Sequence, residues 1–174
     1  DVYKRQVYTP VEIVDFILRA ADDVSKKHFG KGLTDEGVCI LDPFAGTSTF
    51  TVRLLQSGLI KPEDLARKYA NELFATEIML LAYYVSAVNI ETTYNALREE
   101  AALRNGEPAP EYVPFTNIAL ADTFQIHEEG DIPDLNIFRE NNETIERQKK
   151  APINVVIGNP PYSAGQKSAN DLCL

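Results

Sequence analysis

Four consecutive residues near the end of the sequence could bind a planar amine: Asn159, Pro160, Pro161 and Tyr162. The two prolines fix the backbone and lack N–H groups, so the turn offers mainly acceptors, namely the Asn159 amide oxygen and nearby carbonyls. Each such oxygen can accept one N–H of an exocyclic amino group, while the tyrosine ring stacks on the base that carries it. The turn therefore indicates a site for an amino group on a flat ring.

A short β-branched run, residues 153–158, directly precedes this turn and is bounded by Pro152 and Gly158. It predicts a buried strand, so the turn follows the strand's carboxyl end. Parallel α/β sheets bind their ligands at that edge. Taken alone, the tetrapeptide is also consistent with a simple Asn-Pro turn that carries an interfacial tyrosine.

A second junction of this kind begins with the apolar run 38–41, which predicts a strand. A small-residue turn and a helix over about 47–57 follow, an arrangement that exposes backbone amides to a nucleotide-like ligand. The motifs G-x-G-x-x-G and G-K-[ST] are both absent, which excludes a dinucleotide or phosphate loop. A plain strand-to-helix turn remains the alternative. The turn consists of Asp42, Pro43, Phe44, Ala45, Gly46, Thr47 and Ser48.

Acidic residues end two further predicted strands, 73–78 and 118–124. Glu77, with Ile78 beside it, could accept hydrogen bonds from both hydroxyls of a ribose. Asp122 could accept a hydrogen bond from an adenine amino group. Considered alone, a glutamate at the position of Glu77 is more often a solvated cap, and Asp122 is explained about equally well as a cap of the next turn. The second acidic strand end consists of Asp122, Thr123 and Phe124.

Helical patterns connect these strands. Thr9 is predicted to cap a helix over about Pro10–His28, in a capping box with Glu12. A short polar helix is expected over 61–69 and a long one over 79–104. The charged stretch 125–152 predicts a loop and a solvated helix, to which we assign no chemistry.

Composition bounds the class of protein. With 174 residues and 44% apolar residues, the chain is long enough for one globular core. Its net charge of −9 argues against a main DNA-gripping surface. Two cysteines and two histidines exclude a disulfide scaffold and a zinc site. The longest apolar run, 78–88, is too short for a membrane span, so we expect a soluble cytoplasmic protein.

Together these residues resemble the amino-group methyltransferases that use S-adenosylmethionine. The N-P-P-Y motif at 159–162 is typical of enzymes that methylate adenine N6 in DNA. The turn at 42–50 resembles their D-P-F-x-G-x-G-T-F cofactor loop, with Ser48 in place of the second glycine. A serine there adds a side chain where backbone and ligand approach, so we expect reduced affinity. A further motif is similar to the one that closes over the methionine part of the cofactor: Tyr8, Thr9 and Pro10.

The resemblance implies a Rossmann-like, doubly wound, mostly parallel sheet, of which about four strands are expected here. It implies that Asn159 and the Pro160 carbonyl bind N6 of a flipped adenine stacked on Tyr162. The resemblance implies no metal, and it implies that S-adenosylmethionine is bound by Tyr8, Thr9, Pro10, Asp42, Pro43, Phe44, Ala45, Gly46, Thr47, Glu77, Ile78, Asp122, Thr123 and Phe124. The cofactor-first motif order is similar to the gamma arrangement of adenine-N6 enzymes.

The resemblance covers about Val7 to Asp171 and is nearest to the methyltransferase module of large bacterial restriction-modification polypeptides. In these a nuclease and a helicase precede the module and a target-recognition region follows it, so DNA would be bound mainly by regions outside this sequence. Asp1–Gln6 resembles a translated transposon end used in sequencing libraries, and Cys173–Leu174 is interpreted in the same way. We therefore expect residues 7–172 to be a truncated, inactive piece with an unpaired edge strand.

Other functions stay open at this point. N-P-P-Y also occurs in enzymes that methylate the guanine amino group in RNA or a glutamine amide in protein. Enzymes that methylate glutamine are disfavoured by both the D-P-F loop and Tyr8-Thr9-Pro10. Enzymes that methylate guanine are disfavoured chiefly by Tyr8-Thr9-Pro10. Ser48 is a hint of a non-catalytic cofactor-binding module. The missing dinucleotide fingerprint argues against an oxidoreductase.

Overall fold

The computed structural model describes residues 9–124 and 139–161. Within these ranges the chain forms five α-helices and four strands, with a π-helical turn at Lys68–Glu72. Their bounds are α1 Val11–Phe29, β1 Cys39–Asp42, α2 Thr49–Gln56, α3 Pro62–Arg67, β2 Leu73–Glu77, α4 Leu80–Asn105, β3 Ile118–Leu120, α5 Arg139–Lys150 and β4 Ile153–Val156.

All four strands lie in one parallel sheet with the order β3-β2-β1-β4. The chain first builds the sheet outward from β1 to β3, and β4 then pairs with the opposite side of β1. The order therefore reverses between β1 and β4, which is the position where open α/β sheets bind ligands. The predicted Rossmann-like α/β class is confirmed.

Helices cover both faces of the sheet. Ala75 of β2 belongs to the main apolar core together with Ile90 and Tyr94 of α4. The next residue, Thr76, points to the other face because side chains alternate along a strand, and its hydroxyl accepts a hydrogen bond from Gln148 Nε2 of α5 at 2.6 Å. The predicted solvated helix therefore exists as α5, but a polar side chain of this helix is buried against the sheet.

The amino-terminal edge of the sheet buries an ion pair. Lys68 is fully buried, its Nζ lies 2.7 Å from Glu72 Oε2, and it also donates to the carbonyls of Asp35 and Val38. Burial lowers the pKa of Lys68 against the effect of Glu72. Arg67 also donates to the Glu72 carboxylate. This network fixes the start of β1 against the turn before β2.

The predicted start of α1 is wrong in detail. Pro10, rather than Thr9, is the cap residue, and no side chain in the described part of the chain caps the first turn. The Pro10 carbonyl instead accepts hydrogen bonds from the amides of Ile13 and Val14. At the other end, Gly30 adopts the left-handed conformation with φ 73°, which a glycine does without steric cost.

The strand predicted for the 153–158 run is confirmed as β4, and it lies at the edge of the described sheet as expected, but the prediction that it is buried is wrong. β4 pairs only with β1 among the described strands, and its residues alternate between half-buried and exposed, with Val156 61% exposed. The register shifts at Asn154, whose Oδ1 accepts the Cys39 N–H at 2.8 Å. Such a bulge turns the following residues, so Val155 packs against the core.

Several expectations lie outside the described residues. These include the leader, the tail, the 125–138 part of the predicted loop, Tyr8 and Tyr162. None of the helices in ranges 9–124 and 139–161 combines the length and apolar composition that a bilayer span requires.

Replacing Lys68 by methionine should remove the buried cation while keeping its volume. We expect the free energy of unfolding to fall by about 3 kcal/mol, because Glu72 loses a partner while it remains buried. Urea unfolding followed by circular dichroism measures this difference. Lys61→Met, at an exposed lysine just before α3, is the matched control and should change stability by less than about 0.5 kcal/mol. Equal losses in the two variants would contradict a special role of the buried pair.

Candidate functional site at the carboxyl edge of the sheet

The carboxyl ends of β1 and β4 approach each other closely at the reversal of strand order. Ile157 N donates to Leu41 O at 2.9 Å, which continues the pairing past the end of β4. A β-carbon on Gly158 would lie 2.6 Å from Asp42 Oδ1 and 3.3 Å from Pro43 Cδ. Any side chain at position 158 would therefore displace the start of the Asp42 turn. The two motifs that the sequence separates meet at this contact.

Asp42 is a buried carboxyl, 3% exposed, at this meeting point. Its Oδ1 accepts the Phe44 N–H at 3.2 Å, whereas Oδ2 has no hydrogen-bond partner within the described ranges. Burial raises the pKa of Asp42 to about 7, with a further rise from the Glu77 charge and an opposing effect of the Phe44 N–H. The site thus contains a carboxyl that titrates near neutral pH and has an acceptor atom to spare.

Glu77 connects the end of β2 to the Asp42 turn. Its Oε2 accepts the Gly46 N–H at 2.7 Å and its Oε1 accepts the Met79 N–H at 2.8 Å. A carboxylate oxygen can accept more than one hydrogen bond, so both oxygens retain capacity for ligand hydroxyls. Gly46 has φ 55°, and a β-carbon there would meet no described atom within 4 Å. The backbone of the turn is therefore open beside Glu77.

The end of β3 completes this side of the site. The Thr123 hydroxyl donates to the Pro43 carbonyl, and the rings of Phe44 and Phe124 lie 5.4 Å apart at 40°. Asp122 Oδ1 accepts the Phe124 N–H at 2.9 Å, which orients the residues after the strand. Phe124 is 69% exposed, so an aromatic surface faces out beside the turn. The predicted cofactor residues of β1, β2 and β3 are therefore brought together.

The sequence predicts that the Ser48 side chain lies where backbone and ligand approach, but in the structure this side chain points away from the turn surface. It adopts the left-handed conformation with φ 63° and ψ 37°, and its side chain is fully buried. The Ser48 and Ser86 hydroxyls are hydrogen bonded, so the Ser48 side chain lies against α4. The Ser48 side chain therefore does not occupy the open space beside the Gly46 backbone. The sequence carries no periodic signal that could have identified Ser86 as its partner.

The remaining predicted residues lie around the same edge. Asn159 is half-buried, and Pro160 and Pro161 are exposed. Thr9 and Pro10 precede α1, which packs on α2 directly after the Asp42 turn. The stacking role predicted for Tyr162 and the cofactor role predicted for Tyr8 concern residues outside the described ranges.

A bidentate ion pair sets the position of α1 relative to α2. Arg53 Nε and Nη2 of α2 lie 2.8 and 2.7 Å from the two carboxylate oxygens of Asp15 on α1. This fork geometry constrains distance and orientation together. It thereby orients α1, and the Thr9-Pro10 segment before it, relative to the Asp42 turn.

Comparisons with known proteins connect this chain to restriction enzymes. No family model and no curated protein matches it. The ATP-dependent Type ISP restriction-modification enzyme LlaBIII bound to DNA is similar to 92% of this chain, with 48% identity and TM-score 0.80. A nuclease-deletion mutant of the Type ISP enzyme LlaGI, in complex with a DNA substrate mimic, is similar to 96%, with 47% identity and TM-score 0.80. A DrdV–DNA complex is similar to 94%, with 41% identity and TM-score 0.77.

This chain spans 10%, 14% and 15% of the lengths of those three chains. Identity at this level over nearly the whole sequence shows that it is similar in sequence and fold to one segment of large restriction-modification enzymes. The likeness therefore concerns a small part of each neighbour.

The buried carboxyl predicts a pH dependence of stability. Because the folded-state pKa of Asp42, about 7, exceeds its ordinary value of 3.8, its contribution is fully present below about pH 4 and is lost as pH rises through about 7. Asp42→Asn does not titrate, so its stability relative to the native protein should rise by about 4 kcal/mol between about pH 4 and pH 8. Denaturant unfolding at both pH values measures this change.

Asp15→Asn provides a control of opposite sign. The hydrogen bond from Arg53 lowers the pKa of Asp15, so this pair stabilises at neutral pH and is lost on acidification. The stability of Asp15→Asn relative to the native protein should therefore improve as pH falls. A pH-independent difference for Asp42→Asn would contradict the burial of an unpaired carboxyl.

Proposed function

We propose that this chain is the cofactor-binding and amine-binding part of a methyltransferase that uses S-adenosylmethionine to methylate adenine N6 in DNA, within a restriction-modification enzyme. The observation that carries this proposal is the contact between Gly158 and Asp42 at the reversal of strand order. This contact places the Asp42 turn beside the residue that precedes Asn159, which supports one site formed by both turns. The similarity to segments of LlaBIII and LlaGI supports the restriction-modification context.

The donors and acceptors at β1, β2 and β3 fit this cofactor. Glu77 would accept hydrogen bonds from the ribose hydroxyls, and Asp122 with Phe124 would bind the adenine by an acceptor and a ring face. Asp42 offers a buried acceptor without a partner in the described residues, which suits a cationic or N–H group. The open backbone at Gly46 allows close approach. When bound, the cofactor supplies a methyl group on a positively charged sulfur.

The Asn159 turn would bind and orient the acceptor amine. The Asn159 amide oxygen and the Pro160 carbonyl would each accept one N–H of adenine N6, which favours a nitrogen lone pair directed at the methyl group. Since the methyl group arrives with positive charge, placement and charge complementarity contribute more than acid-base chemistry. Tyr162 directly follows the turn and would stack on the flipped base.

DNA contacts would come mainly from other parts of a longer polypeptide. The net charge of −9 is unfavourable for binding phosphates, and this chain spans at most 15% of the length of the three similar enzymes compared above. The LlaBIII structure contains DNA, and the LlaGI structure contains a DNA substrate mimic. The Ser48 side chain is buried away from the open backbone at Gly46, which supports a turn that still admits the cofactor.

Asn159→Ala tests the amine-binding role. In the restriction-modification polypeptide proposed above, we expect methyl transfer to fall by about a hundredfold or more, because the methyl acceptor is no longer positioned. Cofactor affinity should stay within a few-fold, since Asn159 binds the acceptor. Radiolabelled transfer from S-adenosylmethionine to unmethylated DNA, followed by nucleoside analysis, measures the rate and identifies N6-methyladenine. We expect the same result for Tyr162→Ala.

Asn71→Ala is the matched control, since this exposed asparagine lies before β2 at the opposite edge of the sheet, and transfer should be unchanged. A parental rate in Asn159→Ala would refute the assignment of the turn. Label recovered in RNA or protein, with none in DNA, would reassign the substrate.

A further inference from the structure

The backbone at Ser48 has a conformation that serine adopts reluctantly. Within ranges 9–124 and 139–161, Ser48 is the sole non-glycine residue with positive φ. A β-carbon is disfavoured there because it lies too close to the following carbonyl oxygen. Ser48 also begins α2, since its carbonyl accepts the Val52 N–H at 2.9 Å. Relaxation of this residue would therefore change both the Asp42 turn and the start of α2.

The Ser48 side chain is fixed by a residue of α4. Ser48 and Ser86 are both fully buried, and their hydroxyls are hydrogen bonded to each other. Neither hydroxyl is exposed to water that could replace the other. The hydrogen bond is therefore a specific stabilisation of the left-handed conformation at Ser48.

A second contact from the same face of α4 supports the turn. Asn89 lies three residues after Ser86, which places the two on one helix face, and its Nδ2 donates to the Thr47 carbonyl at 3.0 Å. The end of β2 supports the preceding residue through the Gly46–Glu77 hydrogen bond. β2 thus supports the turn at Gly46, and α4 supports it at Thr47 and Ser48.

We propose that Ser86 is a positioning residue for the cofactor turn. Its hydrogen bond keeps Ser48 in the left-handed conformation. That conformation in turn holds the Gly46 amide, and the open backbone beside it, in the geometry that binds the cofactor. Ser86 is buried on α4 and acts through Ser48, without contact to the cofactor. The inference rests on the proposed function of the Asp42 turn.

A double-mutant cycle tests this role in the restriction-modification polypeptide proposed above. Isothermal titration with S-adenosylhomocysteine compares the native protein with Ser86→Ala, Ser48→Gly and the double variant. We expect Ser86→Ala alone to raise Kd about tenfold, because Ser48 then has an orphaned hydroxyl and an unsupported backbone. In the Ser48→Gly background the same change should alter Kd less than about twofold, since glycine adopts the left-handed conformation unaided.

Two further variants separate positioning from general stability. Ser57→Ala removes a hydroxyl that donates to Leu54 O at 2.7 Å at the far end of α2. It should lower the melting temperature while leaving Kd unchanged. Asn89 is exposed, so Asn89→Ala should not affect folding. The variant should raise Kd about threefold, because the Thr47 carbonyl loses its hydrogen bond.

The outcomes distinguish this inference from the proposed function. A native protein that does not bind S-adenosylhomocysteine would overturn the proposed function and the role of Ser86 with it. Native binding, with an equal Ser86→Ala effect in both backgrounds or with none, would overturn the role of Ser86 alone. If Ser86→Ala does not fold, the double variant should fold and bind like Ser48→Gly, and its failure to do so would also overturn the assignment.

Discussion

The site depends on how closely the carboxyl ends of β1 and β4 approach each other. Position 158 has no room for a β-carbon beside the Asp42 carboxyl, so the Asn159 turn and the Asp42 turn form one surface. Parallel pairing makes this approach possible, since it brings the carboxyl ends of both strands to the same edge. Open α/β sheets bind ligands where the strand order reverses in this way. The proposed transfer of a group between two ligands requires such an adjacency.

Buried charged groups are paired at the amino-terminal edge of the sheet, whereas at the carboxyl edge a buried carboxyl keeps an oxygen that is unpaired within the described part of the chain. At the amino edge, Lys68 and Glu72 neutralise each other, and backbone groups complete their hydrogen bonding. At the carboxyl edge, Asp42 is equally buried but has an oxygen without a partner among the described residues. An unsatisfied buried carboxyl costs stability, and such costs are commonly met at ligand sites. The unpaired carboxyl oxygen of Asp42 is consistent with the ligand site proposed at the carboxyl edge, although Asn117 Oδ1 before β3 also has no partner among the described residues.

Rigid support surrounds the proposed cofactor turn. Backbone and side-chain hydrogen bonds from β2 and α4 fix consecutive residues of the turn, including the Gly46 amide through Glu77. A turn that is already ordered loses little conformational entropy when it binds a ligand. The same support explains how a serine is accommodated in a left-handed position. Residues of β2 and α4 thus set the geometry of the turn.

Local sequence patterns were sufficient to predict the α/β class, the apolar runs of β1 and β2, and the acidic residues at the strand ends. Apolar periodicity and turn-forming residues act over a few neighbouring positions, so they are visible in the chain alone. The alternating burial of β4, the buried polar face of α5 and the Ser48–Ser86 pair were not predicted. Each depends on contacts between residues far apart in sequence, and only packing of the strands and helices decides which of these residues meet. The Thr9 cap was predicted from local sequence, but Pro10 is the cap residue instead.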